Sequence, residues 1–328
     1  MRSEISSSIK ILREDGPRTL AKKAKNHLLY SRDLIREVNT PAIDIYDCFI
    51  FYNELELLEM RLNELDDIID YFVVVEATQT FQGDEKPLYF KENREKFSEF
   101  SDKIIYHTVE YPSDLNTSWG REYYLRDSIK TALSHKTNIQ HQDKVIISDA
   151  DEIPSTSGIK TALDSNGVNI FSQVHHYYFY NMRIKGNYRW LGPVMSDYGT
   201  FTSGQDFRDR RPSNHQILGS KMLLEILLTI KYKQKINIIT NGGWHFSYLG
   251  DVNDIIDKVE TFSHEEYNKD KYKNEEYIQK AIEEGQDLFG RDREYEVMEI
   301  DETYPRYLVE NRHKYAHNIQ SNESTTGK

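Results

Sequence analysis

Apolar positions in this chain follow two rhythms, and the switch between them outlines the fold. Ile43 to Tyr52 is rich in strand formers, and Tyr71 to Val75 is a continuous apolar run of the kind found in sheets covered on both faces. Lys103 to Val109 and Lys144 to Ser148 read as further strands. Between them the period lengthens to that of a helix. Leu55, Leu58, Leu62 and Leu65 share one helical face, as do Leu125, Ile129 and Leu133 in a helix predicted from Ser118 to Leu133. Asn53, with Glu56 three residues on, predicts a capping box at the first helix. Strands are also predicted at Val168–Val174, His176–Tyr180 and Ile236–Thr240, and from Asp254 onward the chain reads helical and charged. Strand–helix alternation of this kind predicts an α/β fold with a mostly parallel sheet flanked by helices. Residues 1–36 read as two short helices broken at Gly16-Pro17, with Leu20, Ala24, Leu28 and Ile35 on one face of the second. Gln320 to Lys328 is polar and reads as a disordered end.

In open α/β sheets ligands bind beyond the carboxyl ends of the strands. Polar residues gather there: Asn53 and Glu54 after the first strand, Glu76 after the second, Ser148-Asp149-Ala150-Asp151-Glu152 after the fourth, and Asn241-Gly242-Gly243-Trp244-His245 after a later one. Asp149 and Asp151 are two apart on extended chain, so their carboxylates face the same way. A divalent cation relieves their repulsion, and hard oxygen ligands suit Mg²⁺ or Mn²⁺. Such an ion can bridge a diphosphate and stabilise its charge as it departs. The plain alternative is a pair of aspartates serving a turn. His245 would add a nitrogen ligand and favour Mn²⁺, or be held by hydrogen bonds within its turn.

Arg121 and Arg126 lie on the helix before the acidic strand, where either can reach a phosphate or base; Glu122 and Arg126 also have the spacing of an exposed helical pair. Arg208, Arg210 and Arg211 sit in a polar loop after Gly204 that either closes over a diphosphate or is a solvated charge run. In His175 to Tyr180, alternation puts one face in the core and leaves the other as a platform for a sugar, unless both faces pack.

Charge and composition narrow the class. The net charge of −12 disfavours nucleic acid as a partner. Residues 1–40 run against this trend, with nine Lys/Arg and five Asp/Glu. This arm is expected either to pack on an acidic body or to lie on an anionic membrane surface. The 23 tyrosines suit sugar surfaces as well as cores. The single cysteine, Cys48, excludes an internal disulfide and reads as a small buried hydrophobe. Neither a membrane span nor a signal peptide is legible, so the expected location is cytoplasmic, or peripheral to a membrane through residues 1–36.

Five blocks in order resemble glycosyltransferase family 17: Phe51 to Leu65, Asp70 to Thr78, Lys86 to Phe90, Ser148 to Pro154, and Gly242 to Ser247. The resemblance implies a GT-A type, Rossmann-like fold and an inverting transfer of a sugar from a nucleotide donor to a glycan hydroxyl. The family's animal members use UDP-N-acetylglucosamine and a divalent metal, which implies that donor here. It implies Asp149, Asp151 and His245 as metal ligands. It also supports Glu76 and the Asn53/Glu54 loop as nucleotide contacts, to which the residue reading adds Arg121, Arg126, Arg211 and Trp244. For the base that deprotonates the acceptor, Glu265 stands first, with Asp206 and Asp251 as further candidates. The domains expected are a basic arm (1–40), a transferase domain (41–270) and a helical C-terminal extension (271–328). A carboxylate-dependent hydrolase and a non-catalytic carbohydrate-binding protein are the competing classes.

Overall fold

The computed structural model describes residues 42–136, 138–212 and 220–321. The basic arm and the polar C-terminal end therefore lie outside the described residues. The strands are β1 (Ile45–Phe51), β2 (Tyr71–Ala77), β3 (Ile104–Val109), β4 (Lys144–Asp149), β5 (Glu152–Pro154), β6 (Val168–Tyr177), β7 (Met182–Ile184), β8 (Trp190–Asp197), β9 (Ile236–Ile239), β10 (Gly243–Ser247) and β11 (Tyr295–Val297). The main helices are α1 (Leu55–Leu65), α2 (Ser118–Ser134), α3 (Thr156–Leu163), α4 (Gly204–Arg208), α5 (Lys221–Tyr232), α6 (Val252–Thr261), α7 (Glu275–Glu283) and α8 (Arg306–Glu310).

Side-chain alternation divides the core into two layers. On β1, Ile45, Phe49 and Phe51 face one side with Phe72 and Val74 of β2, under Leu57, Leu58, Leu62 and Leu65 of α1. Tyr46, Cys48 and Ile50 face the other side with Val73 and Val75, against Leu125, Ile129 and Leu133 of α2. Truncating one of these fully buried leucines, such as Leu62, should cost about 2–5 kcal/mol. A third cluster joins the far end of β6 and β7 to α6 and α7 through Tyr177, Ile184, Ile255 and Ile278.

The sheet is mixed, not mostly parallel. β3, β2, β1 and β4 run parallel in that order. β8 then enters antiparallel between β4 and β6. The sequence gives little sign of β8, because Gly192 and Pro193 interrupt it. A register shift in its pairing with β6 between Ile170 and Ser172 accommodates them. The two strands predicted at 168–174 and 176–180 are one ten-residue strand ending at Tyr177; Tyr178 turns out of it with φ 67°. The expected capping box at Asn53 is absent. Glu54 takes the N-cap position without a side-chain cap bond, and its carboxylate accepts instead from the backbone N–H groups of Tyr52 and Asn53 at 3.0 and 3.1 Å. Beyond residue 270 the chain returns to the sheet, where β11 pairs with β7.

Candidate active site

The acidic turn leaves the carboxyl end of β4 and is held from below by Arg61 of α1. This guanidinium has no exposed surface. It forks onto Asp47 of β1 at 2.6 and 2.7 Å. It also donates to the backbone carbonyls of Asp149, Ala150 and Glu152 at 3.0, 3.3 and 3.0 Å, and to Ser148 Oγ at 2.5 Å. A buried ion pair in such a network fixes geometry more than it adds stability.

Above the turn, each acid meets cations. The Asp149 side chain keeps 31% of its surface; one carboxylate oxygen faces Arg126 at 3.0 Å and the other is ion-paired with Arg208. Burial would raise its pKa, but Arg208 and then Arg126 overcome that and hold it well below the usual carboxylate range. Asp151 accepts from Lys258 of α6 at 3.0 Å, and its other oxygen lies 3.6 Å from His245 Nε2. Against the same burial, Lys258 and His245 hold its carboxyl low. Glu152, fully buried, is a hub. It takes both terminal nitrogens of Arg208 and the Trp190 indole N–H, with Arg211 at 3.5 Å.

Arg211 stands out among these cations. Burial first, then the charge of Arg208, pull its pKa down to about 10. It donates to the Leu191 carbonyl at 3.0 Å, and its 3.5 Å approach to Glu152 only partly offsets the surrounding positive charge.

His245 reaches Asp151 because β10 docks antiparallel on β5, with His245 opposite Glu152. Gly243 allows this approach. Its φ is +118°, and a Cβ there would sit 2.1 Å from the Ile153 carbonyl oxygen. The His245 ring stacks on Trp190 at 4.2 Å and meets His175 at 4.8 Å. His245 Nδ1 is buried without a hydrogen-bond partner.

Of these groups, Asp149, Asp151, Arg126, Trp190, Arg208, Arg211 and Lys258 line a cavity of about 550 Å³, whereas Glu152, His175 and His245 are not among its lining residues. Its opposite wall comes from the ends of β1 and β2, with Phe51, Ala77, Thr80 and Phe81. Glu54 lines it too, and with Tyr52 and Lys258 it also lines an adjoining cavity of about 730 Å³ that reaches Asp257.

The other residues singled out from sequence lie elsewhere. Glu76 is fully buried, accepting from Tyr106 at 2.8 Å, from the Phe90 N–H at 3.2 Å and from Lys86 at 3.3 Å. Arg121 donates to the Phe81 carbonyl at 3.0 Å. The Trp244 indole donates to the Thr303 carbonyl at 2.8 Å and lines a separate cavity. Asn53 is exposed and donates to Asp257 at 3.4 Å. Glu265 is exposed in a short 3-10 turn, Asp206 pairs with Arg210, and Asp251 caps α6. None of these lines the 550 Å³ cavity. The Glu122–Arg126 pair is no exposed helical pair, because the Arg126 side chain is only 3% exposed and also holds Asp149. The face read as a sugar platform is closed as well: His175, His176, Tyr177, Tyr178 and Tyr180 are all buried.

Arg61, Glu152 and Lys258 were not distinguished by sequence reasoning, although a signal exists for two of them. Arg61 lies in the stripe of Leu58, Leu62 and Leu65, and Lys258 in that of Ile255, Val259 and Phe262. A charge at a core position of a helix requires a buried partner.

For a divalent cation, the three-ligand set is not assembled. Both Asp149 oxygens are taken by guanidiniums, and no group of three His, Cys, Asp or Glu side chains surrounds one point among the described residues. Asp151 and His245 do fit as a pair. Their facing atoms are 3.6 Å apart, and a cation in a phosphate site commonly completes its shell with substrate oxygens and water.

The sequence profile of glycosyltransferase family 17 matches residues 29–219 and 228–322. Two relatives, the human and rat proteins named beta-1,4-mannosyl-glycoprotein 4-beta-N-acetylglucosaminyltransferase, are each 34% identical over 112 residues. That alignment covers 33% of this chain and only 21% of each relative's length. Among solved structures, the inositol-1-phosphate CTP transferase from T. maritima aligns at 13% identity with a TM-score of 0.31, over 61% of this chain and 86% of that one, a likeness too loose to carry weight. The profile match embraces the acidic turn, the guanidiniums that hold it and the β10 histidine, and on that match the chain belongs to glycosyltransferase family 17.

Proposed function

We propose that this chain transfers N-acetylglucosamine from UDP-N-acetylglucosamine to a hydroxyl of a glycan, by a single inverting displacement at the cavity above Asp149 and Asp151, on a GT-A type fold. The observation that carries this reading is the gathering of Arg126, Arg208, Arg211 and Lys258 on one cavity, beside an acidic turn whose own charges are already paired. An added diphosphate brings negative charge to these cations, and Arg211 and Lys258 are placed to meet it. The apolar wall from β1 and β2 suits the base of the nucleotide. The names of the relatives support the sugar and the type of acceptor.

Asp151 and His245 would hold a Mn²⁺ or Mg²⁺ ion, which when bound supplies positive charge to the departing diphosphate. Asp149 orients Arg126 and Arg208, and Glu152 fixes Arg208 and Trp190 beneath them.

Glu54 is the proposed base. It stands where the two cavities meet, and its hydrogen bonds to Tyr52 and Asn53 use one oxygen and leave the other available. Burial raises its pKa, Lys258 opposes this and Asp151 adds to it. A carboxylate with a raised pKa is a better proton acceptor. Titration calorimetry with UDP and UDP-N-acetylglucosamine, with and without Mn²⁺, tests the reading. Tight binding that needs the metal supports it, whereas absence of binding under both conditions overturns it.

A further inference from the structure

α5 presents an unusual surface. Met222, Leu223, Ile226, Leu227 and Ile230 are 47–69% exposed, and Leu228 is the helix's one buried side chain. At 100° per residue these five fall on one arc of the helix. The side between Leu228 and Met222 is anchored to the body: Glu225 accepts from the Ile238 N–H at 2.7 Å and Thr229 from the Ile236 N–H at 3.0 Å. The outward face is therefore apolar by construction and not through fraying. Contiguous apolar surface of this kind marks a contact site.

The flanks identify the partner. Lys231 borders the apolar arc and Lys233 and Lys235 follow it at the helix end, all three exposed, on a chain whose net charge is −12, while Lys221 on the far side pairs with Glu225. A second copy of the same face would bring these like charges together, whereas an anionic surface neutralises them. An apolar stripe with lysines at its margins is the signature of a helix lying in the plane of a membrane interface, where the long lysine stems reach back to the headgroups. The family profile leaves residues 220–227, which include Met222, Leu223, Ile226 and Leu227, unmatched.

We propose that the exposed face of α5 docks on an anionic lipid bilayer. Lys231, at the end of α5, lines the 550 Å³ cavity, and the Tyr232 hydroxyl donates at 2.6 Å to the carbonyl of Asp209, another lining residue. Docking thus brings the mouth of the cavity to the membrane surface, where an acceptor anchored in lipid would present its hydroxyl. The docking itself does not depend on which sugar is transferred.

The test is co-sedimentation of the full chain with vesicles containing phosphatidylglycerol, against vesicles of phosphatidylcholine alone. A variant carrying Ile226→Glu and Ile230→Glu is compared with wild type. Both positions face solvent, so the fold should tolerate the changes, as checked by circular dichroism and by nucleotide binding. Wild type is expected to partition onto the anionic vesicles, and the double variant to lose at least about tenfold in partitioning. Equal partitioning by wild type and variant overturns the proposal, because residues 1–36 would then carry the binding. No partitioning by wild type overturns it too, as does a dimer in sedimentation velocity that the double variant abolishes.

Discussion

Arg61 and Asp47 form a fully buried ion pair whose geometry sets the height of the acidic turn. The guanidinium spends one edge on the carboxylate and the remainder on the carbonyls of Asp149, Ala150 and Glu152. Replacing it leaves a buried carboxylate without a counter-charge. Arg61→Met should therefore destabilise the chain by about 3–5 kcal/mol in chemical denaturation. Arg61→Lys keeps the charge but loses the fork. It should fold and yet bind UDP more weakly, and wild-type affinity in that variant would show that the turn is held by other means.

Arg211 separates binding from stability. Its charge is disfavoured by burial and by Arg208, so Arg211→Met should leave the thermal midpoint unchanged or raise it. The same change should weaken UDP binding about tenfold or more, the worth of a charge-assisted hydrogen bond. A fall in stability without a fall in affinity would make Arg211 a structural residue.

Glu54→Gln keeps the hydrogen bonds to the Tyr52 and Asn53 N–H groups within reach of the amide oxygen while removing the proton acceptor. Turnover should drop by about 10²–10⁴-fold with donor affinity little altered. Steady-state kinetics alongside calorimetry distinguishes this from a binding defect, in which the donor constant would move instead.

Asp151→Ala should abolish transfer and metal-dependent UDP binding together, because it removes the proposed partner of His245. Mn²⁺ binding followed by electron paramagnetic resonance in the presence of UDP gives a readout independent of turnover. Unchanged Mn²⁺ affinity in Asp151→Ala, or full turnover in excess chelator, would rule out this metal pair.

Acid should unfold the chain earlier than its carboxylates alone would dictate. Burial, then Arg183, pull the pKa of His176 from 6.5 to about 3, and burial, then His245, hold His175 far down. The unfolded chain takes up these protons near pH 6.5 while the folded chain resists them. Their contribution to stability is therefore complete above pH 6.5 and is lost progressively as pH falls toward 3. Asp149 and Asp151, held low, add a further loss only below about pH 4. Urea midpoints measured at pH 7.5, 6 and 5 should decline in that order, and His176→Gln should flatten the slope.

The parallel half of the sheet was legible because β1 is rich in strand formers and β2 and β4 hold apolar runs, at 72–75 and 145–147, between two helical layers. β8 was not, since Gly192-Pro193 reads as a break and only a register shift beside β6 makes it a central strand. The acidic pair was legible from its position after β4. Its cations were harder to see. Arg208 looked like one of three loop arginines, although it is a nearly fully buried residue of α4, and Lys258 is brought to Asp151 by a fold that joins positions 107 residues apart. Local periodicity registers which face of an element is apolar; it does not register which distant charge will neutralise an acid.

The close seat of Gly243 against Ile153, described above as a matter of space, also orders events during synthesis. Asp149, Asp151 and Glu152 leave the ribosome well before the strand that carries His245, and Lys258 follows Asp151 by 107 residues. Since chains emerge amino end first, the acidic turn exists for a time with only Arg61 and Arg126 to steady it. The docking of β10 on β5, which only a glycine at 243 permits, brings in His245, and Lys258 then completes the pairing of Asp151. A nascent chain halted before that strand would carry the acids and the arginines, but neither His245 nor Lys258 to face Asp151.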